Sequence, residues 1–378
     1  MTTVVEEAKR LDPEIRSRAD ASEEGRRLDP EMAKLIRDAG LFGMCVPRRY
    51  GGGEATAREV VDTISTVARA DGAAGWCVMI AATTGLLAGT LDERWAEEIY
   101  GADPRVVTGG VTAPLGRAER VDGGWQVTGR WPYGSGSQHS DWLVGGTLLP
   151  TEGDGRPDVH LMFFPADEVT IHTDTWRTSG LRGTGSHDIS VDGAFVPDGR
   201  SVRLGSRPTA DGALYAFSTF GLLSLGVASV SLGIARRALD ELIDLAGAKT
   251  PTGSRRTLAK REVVQAQVGM AEATWRSAVD YVHAAVERAW EVGERGERIS
   301  RDLRLDLRLA ASNATRRSAE VVDQCWNVAG ASAVYEDSVL QRCFRDVHVT
   351  TQHIMVAPPT FELAGRIQLG LIDDDPVL

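Results

Sequence analysis

The chain has 378 residues, 42% hydrophobic and 25% charged, an ordinary globular composition with material for more than one core. Forty-two Lys and Arg against 53 Asp and Glu leave a net charge of −11, which excludes a broad nucleic-acid surface but allows a local basic spot for an anionic cofactor. Cys45, Cys77, Cys325 and Cys343 are scattered, with no C-x-x-C and no Cys/His cluster of zinc spacing, so they read as reduced core thiols of a cytoplasmic protein without a metal site.

The first 105 residues read as helical, and the opening MTTVVEEAKRLDPE is too polar for a signal peptide. Asp12-Pro13 and Asp29-Pro30 each read as an N-cap followed by proline at the first helical position, and Gly40 as a C-cap. An apolar helix is predicted around 73–89 and a short one around 92–100. Residues 106–208 change texture. Trp125, Val127, Trp131 and Tyr133 share one parity while Gln126, Thr128 and Arg130 take the other, a period of two that predicts a strand after the Asp122-Gly123-Gly124 turn. Further strands are expected at 141–149, 158–164, 168–173 and 187–196, together a barrel or sandwich. Residues 209–378 return to helix at 211–248, 257–294, 301–329 and 335–370, a four-helix bundle. Within it, 213–235 lacks any charge and is long enough for a bilayer, roughly 20 residues being needed. Its serines and its Gly221, Gly226 and Gly233 point instead to the central helix of a soluble bundle, without a membrane.

The order helices, β domain, helices, with AGLFGMCVPRRYGG (39–52), VTGRWPYGSG (127–136), SGLRGTGSHDISVDGAFVP (179–197) and VAGASAVYEDSVLQRCFRD (328–346), resembles the acyl-CoA dehydrogenase superfamily. The implied fold is α+β and mostly α: an N-terminal helical domain (1–105), a middle β-barrel (106–208) and a C-terminal four-helix bundle (209–378), usually in a homotetramer. The run APLGRAERVDGGWQVTGRWPYGSGSQHSDWLVGG (113–146) is more similar to the flavin-dependent monooxygenase branch. That resemblance implies an oxygenase component that receives reduced flavin (FADH2 or FMNH2) from a separate flavin reductase. With O2 it would form a flavin C4a-hydroperoxide and hydroxylate an aromatic or indole-like small molecule. Acyl-CoA oxidation and N-oxygenation of an amino sugar are the alternatives. Dehydrogenases place their catalytic Glu after the Arg-Asp pair; counted from Arg345-Asp346 it would fall at Ile354, and no carboxylate is there.

The resemblance also assigns the site. His353, in a predicted helical run, would polarise or deprotonate a substrate OH or NH, as imidazole suits near neutral pH. Ser135 would place its hydroxyl near flavin N5. Trp131 and Tyr133 would shape the face beside the ring, with Gly136 adjoining. Trp176, Arg182, Thr184 and Ser186 would hold the flavin, joined by Gly330 and by Arg255 or Arg256, which would reach a neighbour's cofactor. Thr84 stands where phenol-type members carry a second histidine, so Trp76, Thr84 and His353 would face the substrate. His139 would either approach the flavin or make a structural hydrogen bond in its loop.

Overall fold

The computed structural model of the chain describes residues 2–150 and 158–373. Helix α1 (Val4–Gly25) begins at Thr3, whose hydroxyl and Glu6 form a reciprocal capping box, and it runs through Pro13. Asp12 therefore does not start a helix; it pairs with Arg16 at 2.6 Å. The proline removes one ladder bond, but Ala8, Leu11, Ile15 and Ala19 are buried on the face that carries α1 across it. Helix α2 (Pro30–Asp38) follows the sequence, with Asp29 accepting from the Met32 N–H at 3.1 Å and Gly40 at φ +72° closing the turn.

Helices α3 (Ala57–Ala70), α4 (Gly72–Gly85) and the short α5 (Glu93–Ala96) complete the first helical region. In α4 every residue but Ile80 is buried, the signature of a helix enclosed on all sides. The charge-free stretch forms α6 (Thr219–Ala248), capped by Ser218. Both α4, extended to Gly89, and α6 are long and apolar enough to cross a membrane, yet most of each lies inside the protein. A Cβ at Gly226 would sit 2.4 Å from Met79, so glycine is what lets α6 approach α4. Helices α7 (Glu262–Glu294) and α8 (Arg301–Ala329) match their predicted positions. The last predicted helix is broken into α9 (Val339–Thr350) and α10 (Pro359–Gln368) by a run of turns over 351–358, and Pro359 opens α10 at its first position. His353 thus lies on an irregular segment rather than on a helix. One hydrophobic core runs from Ala8 through α4 and α6 to Val356, so the two helical regions fold against each other.

Between them lie β1 (Thr108–Val121), β2 (Gly124–Gly134), β3 (Trp142–Leu149), β4 (Asp158–Pro165), β5 (Thr170–His172), β6 (His187–Pro197) and β7 (Ser201–Arg203). They form one sheet ordered β5-β6-β2-β1-β3-β4-β7, antiparallel except for β1 with β3. Side chains from β1, β2, β3, β4 and β6 converge on a single core around Trp131 and Phe164, so the sheet curls. Strand β1 was legible only through its closing turn, since Gly109, Gly110 and Pro114 hide its alternation. The period of two in β2 holds for Val127 and Trp131 but fails at Tyr133, where φ is +67° and the pairing with β6 shifts.

Candidate active site

A cavity of about 390 Å³ opens where α4, the start of β1, the turn after β2, the 176–186 loop, the start of α6 and the segment after α9 meet. Trp76, Thr84, Tyr133 and Ser135 all line it. Trp176, Thr184, Ser186 and His353 line it too, so eight of the fifteen residues singled out in the sequence share one space. Among the described residues on this wall there is no Lys, Arg, Asp or Glu.

Ser135 is buried at the head of a run of close hydroxyls. The Trp76 indole N–H donates to its Oγ at 3.1 Å, the Ser135 and Ser186 hydroxyls lie 2.6 Å apart, and so do those of Ser186 and Thr184. Thr184 Oγ1 donates to the Leu181 carbonyl at 2.8 Å. The Gly136 N–H donates to the Thr184 carbonyl at 2.9 Å and ties the two loops together. Gly136 thus supports the site through its backbone rather than lining it. Tyr133 and Trp176 stand edge to face 6.3 Å apart at the cavity wall, and His187 Nδ1 accepts from the Trp176 N–H at 3.2 Å.

The Arg-Asp pair anchors this arrangement. Arg345 donates to the Ser179 carbonyl at 2.6 Å and pairs with Glu23 at the same distance, while Asp346 accepts from the Leu181 N–H at 2.5 Å. A Cβ at Gly180 would lie 2.4 Å from the Arg345 carbonyl, so only glycine admits this approach. Leu181, at φ +49°, turns the chain so that Thr184 and Ser186 face the cavity. Burial, reinforced by Asp71, pushes the Asp346 carboxyl up to about 7.

His353 meets Trp76 edge-on at 5.5 Å. Its Nδ1 accepts from the Met355 N–H at 3.3 Å, so the neutral ring carries its proton on Nε2. Burial, and then the Arg308 guanidinium, pushes its pKa down to about 4. A neutral Nε2–H ring is a hydrogen-bond donor that can hold a substrate oxygen; with Nδ1 occupied it offers no free lone pair to a substrate OH or NH. Thr84 is buried with its hydroxyl tied to the Thr108 carbonyl at 2.9 Å, so it contributes shape more than a free donor.

Other expected residues fall outside the cavity. Trp131 is fully buried in the sheet core, where its N–H donates to the Gly146 carbonyl at 2.8 Å. A Cβ at Gly116, Gly129 or Gly145 would come within 2.7 Å of its ring, so these glycines form its slot. The motif therefore encodes packing, and Trp131 does not face a flavin. Arg182 donates to the Thr178 carbonyl at 3.1 Å, Gly330 ends α8, and Arg255 and Arg256 are exposed on the loop before α7. His139 stacks on Phe42 at 5.3 Å, away from the cavity lining. Gln352, Thr219 and Leu223 line the cavity without having been singled out; Gln352, beside His353, was the one within reach of a sequence argument.

The cavity suits a flavin ring: aromatic edges at Tyr133 and Trp176, apolar walls, and the buried hydroxyl residue Ser135 in its lining. Comparison with known proteins agrees. The N-terminal domain of acyl-CoA dehydrogenases matches residues 4–98 and their C-terminal domain residues 225–358. An indole-3-acetate monooxygenase of Pseudomonas putida is 35% identical over 88% of this chain and 84% of its own. The flavin-dependent monooxygenase oxygenase subunit HsaA of Mycobacterium tuberculosis is 29% identical over 97% and 95%. The structure of XiaF from a Streptomyces species with FADH2 and glycerol superposes with a TM-score of 0.91 at 25% identity, covering 99% of this chain and 96% of that one. The chain belongs to the flavin-dependent monooxygenases of the acyl-CoA dehydrogenase superfamily. It is the oxygenase component of a two-component system, which implies a separate flavin reductase. The position of a dehydrogenase base is held by Ile354, 72% exposed, and among the described residues no carboxylate lines the cavity.

Proposed function

We propose that this chain hydroxylates an uncharged aromatic of phenol or indole size whose hydroxyl or carbonyl oxygen accepts from His353 Nε2–H. The carrying observation is a wall of aromatic, aliphatic and hydroxyl groups without a charged side chain. A buried carboxylate would meet no countercharge there, a cost of several kcal/mol in order of magnitude. The Pseudomonas relative is named for an aryl acetate; here the neutral ring is favoured over its acid.

Reduced flavin and O2 supply the oxygen atom and the electrons. The protein's residues do the rest. His353 orients the substrate oxygen through the Nε2–H hydrogen bond. Trp76 packs against His353 and closes the space between substrate and Ser135. Ile80, Leu87 and Leu223 line the cavity with hydrocarbon and limit the water that can enter. Assembly as a cytoplasmic homotetramer fits two further features. Val263 and Met270 on α7, and Val334 with Tyr335, are more than half exposed and offer apolar area to other subunits. All four cysteines are buried and unpaired.

The test supplies reductase, flavin and isotopically labelled O2 with a hydroxyindole, indole and indole-3-acetate in parallel. Labelled product should fall in that order. Preference for the carboxylate would refute the neutral-substrate reading, and absence of label in every product would refute hydroxylation of this class.

A further inference from the structure

We propose that a one-way chain of hydroxyls holds Ser135 as a hydrogen-bond acceptor toward the cavity, so that the site selects the ring N–H of reduced flavin over the bare nitrogen of oxidised flavin. The inference rests on the flavin reading above and assigns new positioning roles to Thr184 and Ser186.

The polarity follows from one end of the chain. The Leu181 carbonyl has no proton, so the 2.8 Å contact from Thr184 Oγ1 takes the only proton Thr184 has. Thr184 can then only accept at the 2.6 Å contact with Ser186, which commits the Ser186 proton. Ser186 in turn can only accept at the 2.6 Å contact with Ser135, which commits the Ser135 proton. At the other end the Trp76 N–H, a donor only, occupies one Ser135 lone pair at 3.1 Å. What Ser135 still offers the cavity is its second lone pair. All three hydroxyl residues are buried, at 4% exposure or less, so water does not scramble the order.

The central nitrogen of the flavin ring bears a hydrogen when reduced and a lone pair when oxidised. Against Ser135 the reduced ring gains a hydrogen bond, and the oxidised ring meets lone pair with lone pair. An oxygenase that takes reduced flavin from a separate enzyme and must release it oxidised gains from this discrimination at both steps.

The experiment measures dissociation constants for oxidised flavin in air and reduced flavin under anaerobic conditions, with FAD and FMN in parallel. Thr184→Val removes the acceptor for Ser186, whose proton turns back to Ser135 and frees the Ser135 proton for the cavity. The ratio of oxidised to reduced dissociation constants should then fall about tenfold, one neutral hydrogen bond. Thr184→Ser, which keeps the hydroxyl, should restore it. Should Thr184→Val fail to fold, Ser186→Ala cuts the same chain one step nearer and should lower the ratio equally. A ratio within about twofold of the native value in a folded variant overturns the inference while leaving the flavin reading intact. Failure of the native protein to bind either redox state overturns both.

Discussion

Two tryptophans mark two interiors of this molecule. Trp131 fills the curled sheet, wholly enclosed, with its N–H on a fixed backbone carbonyl. Trp76 stands on α4 at the cavity, with its N–H on a serine hydroxyl that belongs to a relay. The first N–H is merely satisfied; the second sets what a neighbouring group can offer a ligand. An aromatic beside glycines therefore speaks of packing, and an aromatic beside buried hydroxyls speaks of chemistry. The sharpest way to break this contrast is Trp131→Ala. It should lower stability by about 3–5 kcal/mol in urea unfolding, because three glycines cannot refill the slot. Flavin affinity of the folded protein should hold. Trp76→Phe keeps an aromatic ring, trims it at the open cavity and deletes one bond, so its stability cost should be only about 1 kcal/mol. Equal stability losses would erase the distinction.

A second contrast lies behind the cavity wall, where Asp346 supports the loop bearing the hydroxyl chain without touching the cavity. Its pKa in the folded chain is raised to about 7, first by burial, then by Asp71, with the Leu181 N–H opposing. A raised carboxyl contributes stability that is full below its unfolded value near 4 and is lost as pH rises through about 7. Asp346→Asn cannot ionise. The native protein should therefore lose stability relative to this variant between pH 4 and pH 7, on the order of 4 kcal/mol. Urea unfolding of both proteins across that range measures the difference. Parallel curves would mean that Asp346 titrates as an ordinary carboxyl and that the support is electrostatically neutral.

The same contrast explains what could be read from the sequence. Ser135, Trp176, Thr184, Ser186 and His353 were placed through their motifs, and they do meet in one cavity. Trp131 was misplaced because the glycines that fix it, Gly116, Gly129 and Gly145, are spaced along the chain and close on its ring only when β1, β2 and β3 pair. The turn at Tyr133 and the turn at Leu181 were illegible for another reason. Both are non-glycine residues at positive φ, a conformation that tertiary contacts impose and no local signal announces. The start of α1 was misread because a proline is allowed inside a helix once burial on both sides outweighs the lost bond. Orientation within the relay, finally, is a property of distances, and distances are not in a sequence.

The last effect, on rate rather than on stability, bears on His353, whose Nδ1 is occupied by the Met355 N–H. His353→Ala should lower turnover by about 10- to 100-fold, the loss of one oriented hydrogen bond to substrate in the transition state. His353→Gln retains an N–H donor and should recover part of the loss. With its pKa at about 4, the ring stays neutral from pH 5.5 upward, so removing it should scale the pH–rate profile without changing its shape. A working base would behave otherwise. It would place an inflection near its ordinary pKa of about 6.5 in the native profile, and that inflection would vanish in the glutamine variant. Observing such an inflection would transfer His353 from donor to base, and would make the Met355 contact one that opens when substrate binds.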